Sequence, residues 1–171
     1  MPESHHHNAP LHLGRRPGRL DHLAQLYRPK RVVHAQVEWV DVPGFAPGAT
    51  ADGAREATRF LEHARRVDAL AQVVRCFDDG YGTPDPVGEL TTLALELTVA
   101  DLQIVENRLE RLERERRIKG KLASPLEPQM MERFRAHLET ERPLRELILN
   151  PDETKLVAGY AFLTLKPLIV V

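Results

Sequence analysis

The feature that most constrains the fold is a long segment free of helix-breaking residues, from Val87 to about Ile118. It contains no proline, and no glycine after Gly88. Its apolar residues recur at helical spacing, first on one stripe and then on a neighbouring one: Leu90, Leu93, Leu97, Ala100 and Ile104, then Val105, Leu109 and Leu112. This spacing predicts a helix of nearly thirty residues, roughly 45 Å long. Such a helix is too long to stay on the face of a small sheet.

A second helix is predicted directly after the first. Gly120 and Pro125 end the long helix, because neither residue continues a helical segment well. Beyond them apolar residues recur every four positions, at Leu126, Met130, Phe134 and Leu138. Two helices joined by a short turn predict a long antiparallel helical hairpin with coiled-coil-like packing, over residues 87–145.

Arginine and glutamate crowd the run Glu110–Arg117, at the tip of the predicted hairpin. The ordinary interpretation is a solvated helix face held by ion pairs four residues apart. A contact surface for an acidic partner such as RNA is the alternative. The sequence leaves both interpretations open.

The segment before the long helix has the pattern of a βαβ unit. Val37–Val40 reads as a buried strand that ends at Asp41, Ala54–Arg66 as an amphipathic helix, and Asp68–Phe77 as a second buried strand. Such a unit crosses over into a parallel sheet, and ligands bind at the carboxyl ends of its strands. The pattern therefore predicts that Asp41 and Asp78 lie at the same edge of the sheet.

The flanking segments complete the predicted order of elements. Residues 1–18 show no periodicity and are predicted to be irregular, and a short helix over Leu20–Tyr27 follows. Near the other end, Asn150 is a good N-cap for a helix that starts at Pro151, and Lys166–Val171 reads as an apolar strand. The run His5–His7, in residues 1–18, is interpreted as part of a mobile or appended arm rather than a metal site, because adjacent histidines point in different directions.

Composition bounds the class of protein. The chain has 171 residues, with 24 Lys and Arg against 25 Asp and Glu, so its net charge is −1. No global charge favours nucleic acid or an anionic membrane, and a local patch would have to supply either contact. The single cysteine, Cys76, excludes an internal disulfide and is expected to be buried at a strand end. No apolar run approaches the ~18 residues of a membrane span, so we predict a soluble, cytoplasmic protein with no membrane partner.

Five segments in this order resemble the YchF subfamily, the Obg-like ATPases of the translation-factor-related P-loop GTPases. They are Arg19–Asp21, Pro29–Val33, Val40–Gly44, Val67–Leu70 and Val73–Asp79. The resemblance implies an α/β fold: a partial P-loop NTPase core, Rossmann-like with a mostly parallel sheet, carrying the helical hairpin as an insertion. It implies a partial GTPase domain over residues 19–86, the insertion over 87–145, and a return to the GTPase domain over 146–171.

The resemblance also implies a nucleotide site. Asp41 would hold Mg²⁺ through water, and Gly44 would turn its backbone N–H toward the γ-phosphate of ATP or GTP. Val42, Pro43 and Phe45 would belong to the switch loop. Phe45 stands where many GTPases place a water-orienting glutamine, so hydrolysis is expected to be slow unless a partner completes the site; a simple packing role for Phe45 fits equally well. The implied partners are Mg²⁺ with ATP or GTP, and the ribosome.

Departures from the family's pattern put hydrolysis in doubt. The 171 residues contain no Gly-x-x-x-x-Gly-Lys-[Ser/Thr], whose amides and lysine bind the phosphates. The base-reading Asn-x-x-Glu, which in the family follows the strand that ends here at Val171, is also absent from them, and Ala54–Glu56 replaces a glycine-rich segment. The sequence thus predicts a fragment or partial member that is inactive alone. The alternative is a degenerate paralogue that binds the ribosome or another protein through its hairpin. An open apolar edge at Val37–Val40 would favour self-association.

Overall fold

The computed structural model describes most of the chain. The described residues are 18–33, 37–42, 51–78, 80 and 82–171, without the side chains of residues 51, 52 and 54. The chain divides into two compact units, Met1–Gly44 and Phe45–Val171. The predictions on residues 1–17, including the interpretation of His5–His7, lie outside the described residues.

The first unit contains helix α1, Arg19–Tyr27, which confirms the predicted short helix. The backbone N–H of Gly18 donates a hydrogen bond to the Asp21 carboxylate at 3.2 Å, so an acidic side chain satisfies a free amide at the helix start. The helix is terminated by Arg28, the residue after Tyr27, whose φ of 45° is left-handed. Its apolar side chains remain largely exposed, with Leu26 at 64% and Tyr27 at 74%.

The predicted strand at Val37–Val40 is wrong. The structure describes this segment as irregular, and Val37 remains 64% exposed. Val32–Val33, also predicted to be strand-like, has no strand geometry either. A β-branched run becomes a strand only where a neighbouring strand pairs with it, and the described residues offer this run no such pairing. The open edge from which we predicted self-association is therefore not present at Val37–Val40, and self-association itself stays a prediction.

The second unit holds the remaining elements. Their order is α2 (Ala51–Arg66), β1 (Leu70–Gln72), α3 (Pro86–Lys119), α4 (Leu126–Leu138), a 3₁₀ turn (Leu144–Glu146), α5 (Pro151–Val157) and β2 (Leu168–Val170). Every helix predicted in this part of the sequence is present, with bounds within a few residues. None of the described helices is long and apolar enough to cross a membrane.

Local sequence determines where α3 starts and stops. The Asp85 side chain accepts a hydrogen bond from the Gly88 N–H at 3.0 Å, and Pro86 occupies the first turn, where its missing N–H costs nothing. A Cβ on Gly88 would lie 2.1 Å from the Asp85 carboxylate, so a larger residue here would force the Asp85 side chain to shift. At the other end Gly120 adopts φ 72° and donates its N–H to the Arg116 carbonyl at 3.0 Å.

The two strands form a small parallel sheet, in which Leu70 pairs with Leu168 and Gln72 with Val170. The pairing continues past the strand ends, because the Val171 N–H donates to the Gln72 carbonyl at 2.9 Å. The parallel sheet is confirmed, but β1 is shorter than the predicted strand Asp68–Phe77. The prediction that Cys76 is buried is wrong, since it is exposed.

The core lies between α3, α4, the 3₁₀ turn and α5. Its buried members are Val105, Leu112, Met130, Met131, Phe134, Leu138, Leu144, Val157 and Phe162. Phe162 contacts the Phe134 ring edge-on, with centroids 5.8 Å apart, and stacks on Tyr160 at 5.4 Å. A smaller cluster of Ala64, Leu97 and Leu163 joins α2 to α3 and to the turn before β2. Both clusters converge on α3, which is the central element of this unit.

Candidate functional site

The predicted nucleotide loop is only partly within the described residues. Asp41 is exposed, and Val42 is half-buried. Pro43, Gly44 and Phe45 lie outside the described residues. The described segment 37–42 thus presents two solvated carboxylates, Glu38 and Asp41. Among the described residues no group of three or more His, Cys, Asp or Glu side chains is arranged to hold a metal ion.

The carboxyl end of the parallel sheet is attached to the first turn of α3. The Gln72 amide donates to the Glu89 carbonyl at 3.0 Å, and the Arg75 N–H donates to the Glu89 carboxylate at 3.3 Å. Asp78 is exposed and accepts a hydrogen bond from the Gly80 N–H at 2.9 Å, which closes a tight turn. These hydrogen bonds between side chains and backbone groups fix the loop after β1, and they leave the Asp78 carboxylate facing solvent.

A buried carboxylate on α3, missed by the sequence analysis, organises the segment before β2. Asp101 is fully buried. It accepts hydrogen bonds from the Leu163 N–H at 3.0 Å, the Thr164 N–H at 2.7 Å and the Thr164 hydroxyl at 2.8 Å. The Arg65 guanidinium of α2 lies 3.6 Å away. Three elements therefore meet on one carboxylate, which its partners neutralise and hold in place.

The environment of Asp101 changes its ionisation. Burial raises the pKa of the carboxyl group, while the hydrogen bonds from Thr164 and Leu163 and the Arg65 charge oppose that rise. The Lys166 ammonium lies nearby and donates to the carbonyls of Arg65, at 2.9 Å, and Val67. Lys166 thus caps the carboxyl end of α2, and burial lowers its pKa.

A signal for Asp101 was present in the sequence. The residue lies four positions after Leu97 and four before Val105, so it occupies the buried stripe of the helix itself. An acidic residue at such a position requires several donors from elsewhere in the chain. No local pattern identifies Leu163 and Thr164 as those donors, because they lie more than sixty residues away.

A second network joins α3 to α4. The Arg108 guanidinium contacts both oxygens of Glu127, at 2.8 and 2.9 Å, and also Glu115 at 3.1 Å. The Tyr160 hydroxyl donates to the same Glu127 carboxylate. The hydrogen bond from Arg108 lowers the pKa of Glu127, whereas burial and the Glu127 contact raise the pKa of Tyr160 to about 12. A bidentate arginine–carboxylate contact of this kind fixes the position of α3 relative to α4.

An open groove of about 590 Å³ runs between α3 and α4. Leucines form its apolar part, and charged side chains from both helices line the rest: Leu109, Leu112 and Leu122, with Glu106, Glu110, Glu113, Glu132, Arg116 and Arg135. The groove places apolar surface beside ion-pairing side chains.

Comparison with known proteins finds relatives over most of the chain. A "Ribosome-binding ATPase YchF" from Haemophilus ducreyi is 36% identical over 154 residues, covering 87% of this chain and 42% of that protein. The Bacillus subtilis protein of the same name is 34% identical, covering 90% of this chain and 43% of the relative. "Obg-like ATPase 1" of Oryza sativa subsp. indica is 33% identical over 156 residues.

A solved structure is similar as well. The structure of the Schizosaccharomyces pombe YchF GTPase matches 88% of this chain with a TM-score of 0.62 and 32% identity. The chain spans about two fifths of the length of these relatives. No family model matches the sequence.

Proposed function

We propose, from the premise that the chain is a partial member of the YchF / Obg-like ATPase family, that it forms part of a nucleotide-binding, ribosome-associated P-loop hydrolase of the cytoplasm. One observation carries the proposal: relatives named as ribosome-binding ATPases and as a YchF GTPase are 32–36% identical to it over nearly nine tenths of its length. The parallel pairing of β1 with β2, with the helices α3, α4 and α5 between them along the chain, supports a P-loop NTPase-type fold.

In this proposal residues 19–86 and 146–171 belong to the GTPase domain, and residues 87–145 form the inserted hairpin. Asp41 would hold Mg²⁺ through water, and Gly44 would offer its backbone N–H to the γ-phosphate of ATP or GTP. Val42, Pro43 and Phe45 form the switch loop around them. The exposed position of Asp41 is compatible with this role, because a carboxylate that binds Mg²⁺ through water has to be solvated.

The 171 residues alone are proposed to be inactive. Phosphate binding in P-loop proteins rests on several backbone amides and a lysine, each a charge-assisted contact of about 1.5–3 kcal/mol. The sequence contains no such loop, and a single carboxylate cannot replace those contacts. Without these contacts nucleotide binding is weakened by the sum of their free energies. The nucleotide is then not held in place, so we expect no measurable hydrolysis.

A second candidate is a non-catalytic module that binds the ribosome or another protein through α3 and α4. The closed core of the helical part, α3 to α5, favours this second candidate. The core there is closed, with Met131 and Phe134 fully buried, and its buried carboxylate Glu127 is paired with Arg108. A fold that remains ordered without a nucleotide site can retain binding after catalysis is lost.

Titration with fluorescent ATP and GTP analogues in Mg²⁺ tests the proposal. We expect no saturable binding and no hydrolysis by the chain at high micromolar concentration, and co-sedimentation with ribosomes. Asp41→Ala is measured alongside Glu38→Ala, a matched control that removes an exposed carboxylate from the same segment. Binding that Asp41→Ala weakens and Glu38→Ala does not would contradict the predicted inactivity. A chain that does not sediment with ribosomes would contradict ribosome association in both candidate functions.

A further inference from the structure

One lysine holds the carboxyl end of α2. Lys166, two residues before β2, donates hydrogen bonds to the carbonyls of Arg65, at 2.9 Å, and of Val67. The Arg65 carbonyl belongs to the last turn of α2, where backbone acceptors have no partner within the helix. The two carbonyls lie 101 and 99 residues before Lys166 in the sequence. A side chain from the carboxyl-terminal segment therefore completes a helix near the start of the second unit.

One arginine makes the reverse contact. The Arg65 guanidinium donates to the Ala161 carbonyl at 3.1 Å and lies 3.6 Å from the Asp101 carboxylate. Asp101 in turn accepts hydrogen bonds from the amides of Leu163 and Thr164. A side chain of α2 thus fastens the segment that leads into β2, while a side chain of that segment fastens α2. Each of the two elements helps to hold the other.

These polar contacts matter because the described part of α2 buries little apolar surface. Of the α2 side chains that the structure describes, Ala64 is buried, and Phe60 and Leu61 are half-buried. The Arg65 side chain is 26% exposed and Asp101 is fully buried, so solvent screens their attraction less than that of a surface pair. Loss of a charge-assisted contact at such a place shifts an opening equilibrium by about tenfold.

The small sheet depends on the same segment of chain. Strands β1 and β2 have three residues each, and a two-stranded pairing of this length is marginal by itself. The Leu70 N–H donates to the Pro167 carbonyl at 2.9 Å, directly after Lys166. The strand pairing therefore begins at the residue that follows the lysine bound to α2, and whatever holds residues 161–167 in place also holds the sheet.

We propose that docking of α2 on α3 and pairing of β2 with β1 form one cooperative opening unit, coupled through Arg65 and Lys166. Separation of β2 releases α2, and release of α2 frees β2, because a coupling free energy acts equally in both directions. The carboxyl-terminal strand thereby controls the exposure of Leu97 and Leu163, which pack against Ala64 of α2. The coupling needs neither nucleotide nor ribosome, so it goes beyond the proposed function and is tested separately from it.

Hydrogen exchange of the 171-residue chain, followed by NMR over a series of low urea concentrations, tests the coupling. The helix amides are those of residues 61–66, and the sheet amides are those of Leu70 and Val74, which donate to carbonyls next to β2. Amides exposed by one opening share one opening free energy and one urea dependence. We expect both groups to share them, with a weaker urea dependence than the buried core positions Val105 and Met131.

Variants on either side of the contact test its two directions. A substitution accelerates an opening only when that opening breaks the contact that was removed. Arg65→Met, on α2, and Lys166→Met, before β2, should therefore each raise the exchange of both amide groups about tenfold. Arg66→Met removes an exposed cation from the same helical turn, and Lys155→Met removes an exposed cation from α5. These matched controls should leave both groups within about twofold.

Three results would each overturn the proposal. In the first, Arg65→Met accelerates only the helix amides and Lys166→Met only the sheet amides, so the two elements open independently. In the second, both groups show the urea dependence of Val105 and Met131, so they open only when the whole chain unfolds. In the third, the two test variants exchange like their controls. The urea comparison uses the unmodified chain, so it decides the question even where a variant does not fold.

Discussion

The two ends of α3 border different kinds of structure. At the carboxyl half, the helix packs against α4, the 3₁₀ turn and α5, and Val105, Met131, Phe134 and Leu144 are all fully buried there. At the amino end, the helix meets a sheet of two three-residue strands. In and after those strands Val73, Ile169 and Val170 are between 51% and 79% exposed. The helical part thus completes its own core, whereas the sheet leaves apolar faces that no described residue covers.

The carboxylates of the helical part and of the sheet side also differ in their surroundings. Carboxylates buried in the helical part are all paired: Glu127 with Arg108 at 2.8 Å, and Glu153 with Arg133 at 3.0 Å. At the loop after the sheet, Asp78 is exposed. Buried carboxylates require partners, because an unpaired charge in a core costs several kcal/mol. In the helical part, burial of a carboxylate and its pairing with an arginine therefore occur together.

The largest effect is expected when one phenylalanine from the helical part is compared with one from the sheet side. We expect Phe134→Ala to lower the free energy of unfolding by about 3–5 kcal/mol, because it empties a fully buried site. Phe77→Ala, at a residue 67% exposed in the loop after β1, should change it by less than about 0.5 kcal/mol. Urea unfolding followed by circular dichroism at 222 nm measures both. Equal losses would show that the sheet side is as well packed as the helical side.

A smaller effect is expected at the junction between the two parts. Asp101→Asn places an amide N–H₂ where the carboxylate accepts bonds from Leu163 and Thr164, so at least one buried donor loses its partner. We expect a loss of about 2–3 kcal/mol in the same urea assay. Glu106→Gln is the control, since it removes an exposed carboxylate from the same helix. A loss below about 0.5 kcal/mol in the Asp101 variant would mean that the junction does not hold the two parts together.

The smallest expected effect is the pH dependence of stability that the pair of Arg108 and Glu127 causes. Arg108 holds the pKa of Glu127 below its ordinary value of 4.5 in the folded state. The stability from this pair is therefore complete above pH 4.5 and is lost as the pH falls through the lowered pKa. We expect Glu127→Gln to cost about 1–2 kcal/mol at pH 7, and the two stability curves to converge as the pH falls below the lowered pKa of Glu127.

The control for this pH series is Glu132→Gln, an exposed carboxylate on the same helix that pairs with Arg135. It should follow the wild-type curve within about 0.5 kcal/mol at every pH. Asp101 acts in the opposite sense, because its raised pKa makes the folded state bind a proton more readily than the unfolded chain. Curves for wild type and Glu127→Gln that stay parallel down to pH 3 would contradict the role assigned to the Arg108 pair.

Local sequence predicted the helices well and the strands poorly. The bounds of α3 follow from Asp85, Pro86 and Gly120, and the Asn150 side chain caps α5 as predicted, accepting bonds from the Asp152 and Glu153 amides. A helix satisfies its own hydrogen bonds, so its sequence contains most of the information. A strand depends on its partner, which explains why Val37–Val40 has the composition of a strand without its structure.

The candidate sites divide in the same way. The charged run at the end of α3 is visible in the sequence. The sequence does not show which of its cations are paired, because Glu115 pairs with Arg108, two residues before the run. Asp101 is visible only as an acidic residue within an apolar stripe, since its donors are distant in sequence. Of the nucleotide-site residues predicted from the family resemblance, Asp41 and Val42 are described by the structure, and the roles of all five stay predictions.

The Asp101 contact also bears on the order in which the chain acquires its structure. The carboxylate and the Thr164 amide are 63 residues apart, and Leu70 and Leu168 of the paired strands are 98 apart. The contacts of α3 with α4 are far more local and form with less loss of chain entropy. On a ribosome, α3 and α4 would leave the exit tunnel and pack while Asp101 is still hydrated. The sheet could close only when residues 163–170 had been synthesised, so the pairing of β1 with β2 would complete this unit after α3 and α4 had packed.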